Sequence, residues 1–147
     1  MTEQQETRRQ TIEQERGGQA WEDIREIKKL HNEDLEKKYR SLARGLNAMI
    51  QINGLGQTLG FLKAKSKQKE NEHFYLLGHL TQWMQHHFTA RNISMMSNGY
   101  DGLLSWVLDK DTDSADYRRA TTECLAFGTW LRRFAEAELK EPDAGVE

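Results

Sequence analysis

The sequence is poor in residues that break helices or cross-link a chain. It has one proline, Pro142, and one cysteine, Cys124. A single cysteine excludes an internal disulfide and is typical of the reducing cytoplasm, where we expect this protein to reside. Because Cys124 lies in an apolar run, we expect it to be a small buried residue and not a nucleophile. No apolar run approaches the roughly 20 residues that a membrane-spanning helix needs, so no membrane partner is expected.

Motifs for nucleotides and metals are also missing. Three glycines fall within INGLGQTLGFL (residues 52–62), but their spacing fits neither the G-x-G-x-x-G fingerprint nor the Walker A loop. The five histidines include no i, i+4 pair of the kind that forms a helical zinc site, and there is no cysteine pair to complete one. We therefore expect neither a metal ion nor a cofactor.

Apolar residues recur at helical spacing along nearly the whole chain, without the alternation that is typical of strands. Glycine, asparagine and aspartate punctuate this pattern and set the expected helix boundaries. The boundaries that we predict are helix ends at residues 31–32 and 53–54, a loop over 89–102, a short helix over 103–108, and an N-cap for the last helix within 111–114. The sequence thus predicts an all-α fold, a compact single-domain bundle of about six helices over residues 1–142, with a disordered tail at 143–147.

The glycines of residues 52–62 are expected to form a joint between two helices. Asn53 and Gly54 predict a helix end with one residue at positive φ. Gly56 and Gly60 lie four residues apart on one face of the next helix, which predicts that another helix approaches closely there. A weaker alternative is that the N–H groups at the start of that helix bind a phosphate.

Positive charge is concentrated in one stretch of the chain. No acidic residue occurs between residues 37 and 69, whereas residues 1–36 hold ten and residues 70–117 hold seven. The basic residues of the stretch are Lys37, Lys38, Arg40, Arg44, Lys63, Lys65, Lys67 and Lys69. Repeated cations without local acidic partners are suited to a polyanion backbone.

The second predicted helix separates its apolar and charged residues. Its apolar residues share one side: Leu35, Tyr39, Leu42 and Leu46. Lys37, Arg40 and Arg44 fall near the opposite side. For any single residue a solvated surface is the simpler interpretation, but an acid-free stretch of this length favours a nucleic acid partner. A membrane-surface helix would need its apolar side exposed, and here the core requires that side.

One pattern raises an enzymatic alternative. Arg25 and His31 fit the R-x(4–6)-H form of helical HEPN ribonucleases, but eleven arginines and five histidines make about one such match expected by chance. Carboxylates lie in surface runs such as residues 109–116. No pair of them is set among apolar residues, where the pKa values could shift as acid–base catalysis requires. We therefore expect no enzymatic activity.

Several segments, taken in order, resemble the small helical subunit of type III-B CRISPR effector complexes, the Cmr small subunit. The segments are TIEQER (residues 11–16), YRSLAR (39–44), NGLGQTL (53–59), YRRAT (117–121) and WLRRFA (130–135). The resemblance covers roughly residues 8–139, nearly the whole chain. The NGLGQTL segment and the pair YRRAT and WLRRFA are its more specific parts.

The resemblance implies a non-enzymatic architectural protein. Several copies would stack head to tail along the guide RNA–target RNA duplex, beside the backbone subunits and in contact with the large polymerase-like subunit. Cleavage of RNA or DNA in such complexes belongs to those other subunits. The partners implied are therefore the other Cmr subunits, further copies of this chain, and guide and target RNA.

The cationic residues are the expected RNA contacts, neutralising phosphates without reading sequence. The predicted RNA-binding residues are Lys37, Arg40, Arg44, Lys63, Lys65, Lys67, Arg132 and Arg133. Tyr117 and Trp130 are expected to pack in the core and not to stack on bases. A third function class remains open at this point: a helical protein–protein adaptor whose cations meet acidic partners.

Overall fold

The computed structural model describes residues 3–66, 70–89, 93, 96 and 99–143. Its helices are α1 (Glu3–Lys29), α2 (Glu33–Asn53), α3 (Leu55–Lys65), α4 (Glu72–His87), α5 (Gly102–Leu108) and α6 (Ser114–Glu138). No strand occurs within the described ranges, and the predicted compact all-α fold of about six helices is confirmed. Among these helices, none is both long and apolar enough to cross a membrane. The predicted tail lies outside the described residues, except for Asp143.

Side-chain caps set the starts of α2, α4 and α6. Asn32 Oδ1 accepts the Leu35 N–H at 3.0 Å before α2, and Asp113 Oδ1 accepts the Asp116 N–H at 2.8 Å before α6. Asn71 caps α4 in the same way. Each cap supplies an acceptor to an N–H that the helix itself leaves unpaired. The N-cap predicted within residues 111–114 is therefore confirmed.

The joint between α2 and α3 has the predicted backbone but not the predicted packing. Gly54 has φ 89°, in the region that favours glycine, and its N–H donates to Ile50 O at 2.8 Å. A Cβ at Gly60 would meet nothing within 4 Å, so the predicted close approach at that residue is wrong. At Gly56 a Cβ would lie 3.5 Å from the Tyr117 hydroxyl, an ordinary contact. The Gly56 N–H already donates to that hydroxyl at 2.9 Å, which occupies one of the amides considered for phosphate.

The close helix approaches occur instead at two other glycines. A Cβ at Gly128 of α6 would overlap the side-chain amide oxygen of Asn47 on α2. Asn47 Nδ2 donates across the same contact to Leu125 O and Thr129 Oγ1, both at 3.0 Å. On the other side of α6, a Cβ at Gly17 of α1 would lie 3.3 Å from the Trp130 ring.

Helix α6 lies against α1, α2 and α4 and forms the centre of the core. The Trp83 ring of α4 stacks on Phe127 of α6, with centroids 4.9 Å apart and planes inclined by 4°. Cys124 is buried as predicted, and burial raises the pKa of its thiol, so it is held as the neutral form. Tyr117 and Trp130 are partly buried and pack against the core, as expected.

Candidate nucleic-acid interface

Four of the eight predicted RNA-binding residues lie at one place, where α2 and the end of α6 pack together. Contacts from Arg40 to Glu136 and from Asn47 to Thr129 show that the two helices run antiparallel. The C-terminal end of α6 therefore lies beside the first half of α2. We call the four residues the α2–α6 corner: Lys37, Arg40, Arg44 and Arg132.

Arg40 is the most enclosed member of the corner, with 17% of its side chain exposed. Its Nη1 donates to Glu136 O at 3.0 Å and to Leu139 O at 3.1 Å. These carbonyls belong to the C-terminal end of α6, where a helix leaves carbonyl groups unpaired and favours positive charge. Arg40 therefore caps α6 from a different helix, in addition to any role in binding.

Carboxylates from the C-terminal part of the chain also reach the corner. Glu136 Oε1 accepts a hydrogen bond from Arg132 Nε at 2.8 Å. That bond, with further attraction from Arg40 and Arg44, lowers the pKa of Glu136. Positive charge from two helices thus converges on one carboxylate.

Two further ion pairs lie just beyond the end of α6. Lys37 Nζ is 2.9 Å from Asp143 Oδ1, and that hydrogen bond raises the pKa of Lys37. Arg40 Nη2 is 3.4 Å from Glu141 Oε1. The stretch that lacks acidic residues in sequence therefore has acidic neighbours in the fold. Antiparallel pairing of two long helices is the signal that could have identified them.

The predicted residues on α3 form a separate surface, since α3 packs mainly against α4, α2 and α5. Lys63 Nζ lies 2.9 Å from Asp101 Oδ2 and donates to Tyr100 Oη at 3.0 Å. Lys65 is exposed at the end of α3. Lys67 lies outside the described residues. Arg133, exposed on α6, is adjacent in sequence to Arg132 of the corner.

A buried polar cluster joins α1, α2 and α4, and the sequence patterns did not indicate it. The Tyr39 hydroxyl is 2.8 Å from His79 Nδ1, and His79 Nε2 is 2.6 Å from Glu26 Oε1. Tyr39 is 0% exposed and His79 is 3% exposed. Burial of the hydroxyl raises the pKa of Tyr39 well above its ordinary value. Tyr39 is enclosed by the fold, whereas Glu26 and His79 also line an open cleft of about 350 Å³.

Asp23 lies at the edge of this cluster and corrects the expectation that carboxylates occur only in surface runs. It is 4% exposed; its Oδ1 accepts a hydrogen bond from Gln19 at 2.9 Å, and its Oδ2 has no hydrogen-bond partner. Burial raises the pKa of Asp23 to about 6, and the nearby His79 and the Gln19 bond only partly oppose this effect. The sequence shows that Asp23 and Glu26 are three residues apart on α1, but it does not show that Asp23 is buried.

Arg25 and His31, the residues of the ribonuclease alternative, occupy different kinds of structure. Arg25 is on α1, with its guanidinium 5.8 Å from the Trp21 ring centroid. His31 lies beyond the end of α1, in a turn with φ 51°. The pair is therefore not held on one helix face. Among the described residues, no group of three or more His, Cys, Asp or Glu is placed to hold a metal ion.

Comparison with known proteins gives a consistent answer. A sequence model of the family described as "CRISPR-associated protein (Cas_Cmr5)" matches residues 12–138. The X-ray crystal structure of a CRISPR-associated Cmr5 family protein from Thermus thermophilus is similar to this chain with a TM-score of 0.65 and 25% identity, over 87% of this chain and 97% of that chain. The resemblance found in the sequence is thus confirmed, and the chain belongs to the Cmr5 family of CRISPR-associated proteins.

Proposed function

We propose that this protein is a non-catalytic architectural subunit of a cytoplasmic type III-B CRISPR complex that silences RNA. Several copies stack into a filament along the guide RNA–target RNA duplex, beside the backbone subunits and in contact with the large polymerase-like subunit. Each copy binds RNA backbone without sequence specificity. The observation that carries the RNA-binding part is the convergence of Lys37, Arg40, Arg44 and Arg132 at the α2–α6 corner.

The chemistry of the corner suits phosphate. Guanidinium groups present planar sets of N–H donors that match phosphate oxygens, and Arg44 and Arg132 are both exposed. Phosphate contacts of this kind position a nucleic acid but do not distinguish bases. The absence of catalysis in the proposal is supported by the positions of Arg25, which is on α1, and His31, which lies in the turn beyond it.

The RNA-binding part is tested by reversing charge at the corner. We expect Arg44→Glu combined with Arg132→Glu to weaken binding to RNA of any sequence at least about tenfold at low salt, and to reduce the slope of log affinity against log salt by about 2. Fluorescence anisotropy with two RNAs of unrelated sequence measures both effects. Arg40 is left intact because its bonds to α6 carbonyls support the fold.

The matched control is Lys110→Glu combined with Arg118→Glu, which changes the net charge equally at two exposed residues near the N-terminal end of α6, opposite the end that forms the corner. We expect the control to weaken binding by less than about threefold. Equal weakening by both double variants would contradict a role for the corner and would leave only a general effect of net charge.

A protein–protein adaptor is the second candidate, because the corner cations already bind carboxylates in this structure. The two candidates differ in what the protein carries when it is isolated from its native cell. The proposed function requires copurification with guide RNA and other Cmr subunits. An adaptor would copurify with proteins and would bind no RNA at low salt.

A further inference from the structure

The chain beyond α6 continues along the first half of α2. Leu139 is 5% exposed and anchors the segment in the core. The Lys140 N–H donates to Glu36 Oε1 of α2 at 3.2 Å. Pro142 is partly buried and, with Asp143, lines a cleft of about 490 Å³ beside Lys37 and Lys38. We call residues 139–143 the C-terminal strap.

The strap places two carboxylates beside cations of the α2–α6 corner, but the resulting ion pairs are largely exposed to solvent. The side chains of Glu141 and Asp143 are 79% and 74% exposed, although they pair with Arg40 and Lys37. Ion pairs that are this exposed contribute little net stability, because water and salt screen them. A backbone phosphodiester presents two charged oxygens, as a carboxylate does, and can therefore replace such a carboxylate on a guanidinium or ammonium group.

We propose that the C-terminal strap competes with RNA phosphates for the α2–α6 corner. The carboxylates of Glu141 and Asp143 occupy the sites on Arg40 and Lys37 that phosphates take when RNA binds. The inference rests on the proposed function, since it assigns a regulator to the same surface. In the free protein the strap carboxylates neutralise cations of the corner. Binding of RNA displaces residues 140–143 of the strap.

The bonds of Arg40 to backbone carbonyl groups keep the α2–α6 corner in place when phosphates replace the strap carboxylates. The bonds from Arg40 Nη1 to Glu136 O and Leu139 O do not involve the strap carboxylates. Arg40 therefore stays oriented when Glu141 leaves, and its Nη2 is the group made available. The buried Leu139 keeps the start of the strap in place, so only residues 140–143 need to move.

The test removes the two charges in the full chain. We expect Glu141→Gln combined with Asp143→Asn to tighten RNA binding about threefold to tenfold at ~100 mM salt, measured by anisotropy with the same RNAs as above. The control is Asp109→Asn combined with Asp111→Asn, which removes the same charge from exposed residues before α6. Asparagine at residue 109 keeps the Oδ1 that accepts the Asp111 N–H.

Each outcome of this comparison is decisive. Tighter binding by the strap variant alone supports the competition. Equal binding by the strap variant, the control and the wild type would overturn it while the proposed function stands, and equal tightening in both variants would reduce it to an effect of net charge. Failure of all three proteins to bind RNA would overturn the proposed function, and this inference with it.

A second measurement follows the strap itself. In the wild-type protein labelled with ¹⁵N, we expect added RNA to shift the amide resonances of Lys140, Glu141 and Asp143 towards values of unstructured chain. The Leu139 amide should move less, because it donates to Ala135 O inside the α6 end. Strap resonances that stay fixed while RNA binds would show that the carboxylates are not displaced.

Discussion

Two polar regions of this protein are built from the same kinds of contact but differ in exposure. In the buried cluster, Tyr39 and His79 are 0% and 3% exposed. At the α2–α6 corner, the carboxylates of Glu141 and Asp143 are more than 70% exposed. Consecutive residues of α2 serve the two regions, Tyr39 inward and Arg40 towards α6. The comparison teaches that burial decides whether a polar contact holds the fold or remains available for exchange.

The largest effect is expected from removing the centre of the buried cluster. His79→Leu leaves the Tyr39 hydroxyl buried without its partner, and should lower the free energy of unfolding by about 2 to 4 kcal/mol. Urea denaturation measures the loss. His86→Leu, at an exposed residue of the same helix, should change stability by less than about 0.5 kcal/mol. Similar losses of unfolding free energy in both variants would mean that the buried contacts of His79 do not stabilise the fold more than the exposed His86 does.

A gain of stability is expected from removing the buried charge of Asp23. The pKa of Asp23 in the fold, about 6, lies above its ordinary value of 3.8, so the ionised carboxylate opposes folding. That penalty is fully present above pH 6 and is relieved as the pH falls from 6 towards 3.8. Asp23→Asn should therefore stabilise the protein by about 1 to 2 kcal/mol at pH 8.

The advantage of Asp23→Asn should disappear near pH 4, where the wild-type carboxyl is protonated when folded. Urea denaturation at pH 8, 6 and 4 gives the profile. Glu22→Gln removes the same charge from the exposed neighbouring residue and should show no comparable gain. A gain that is independent of pH would point to a change in packing and not to the charge.

The smallest effect is expected at the corner. Asp143→Asn breaks the exposed pair with Lys37 and should change the free energy of unfolding by less than about 0.5 kcal/mol at moderate salt. The same urea experiment measures it beside His79→Leu. A loss above about 1 kcal/mol would show that the strap is part of the folded core, and the contrast between the two regions would then fail.

Local patterns predicted most of the helical architecture. The helix end at Gly54 and the N-cap before α6 were predictable because each depends on residues close together in sequence. The neighbours of the cations were not, because Asp143 reaches Lys37 only when two distant helices pack antiparallel. The cluster at His79 was missed for a related reason. Its bonds depend on how α1 and α4 are rotated about their axes, which spacing alone does not fix.

The same limit applied to the glycines. Three glycines lie close together in residues 52–62, yet among the glycines whose surroundings the structure describes the tightest approach is at Gly128, in a helix with no such pattern. A glycine's role in packing depends on what faces it. The residue that faces a glycine is set by the tertiary structure and cannot be read from local sequence.

The contact between Gly128 and Asn47 has a consequence for how this chain can change over generations. Because a Cβ at residue 128 would overlap the Asn47 amide oxygen, a side chain there requires the side chain at residue 47 to move or to be shorter. A mutation that shortens the side chain at residue 47 opens room for alanine at residue 128, whereas the reverse order passes through a strained intermediate. The packing of α2 on α6 thus imposes a direction on the mutational path.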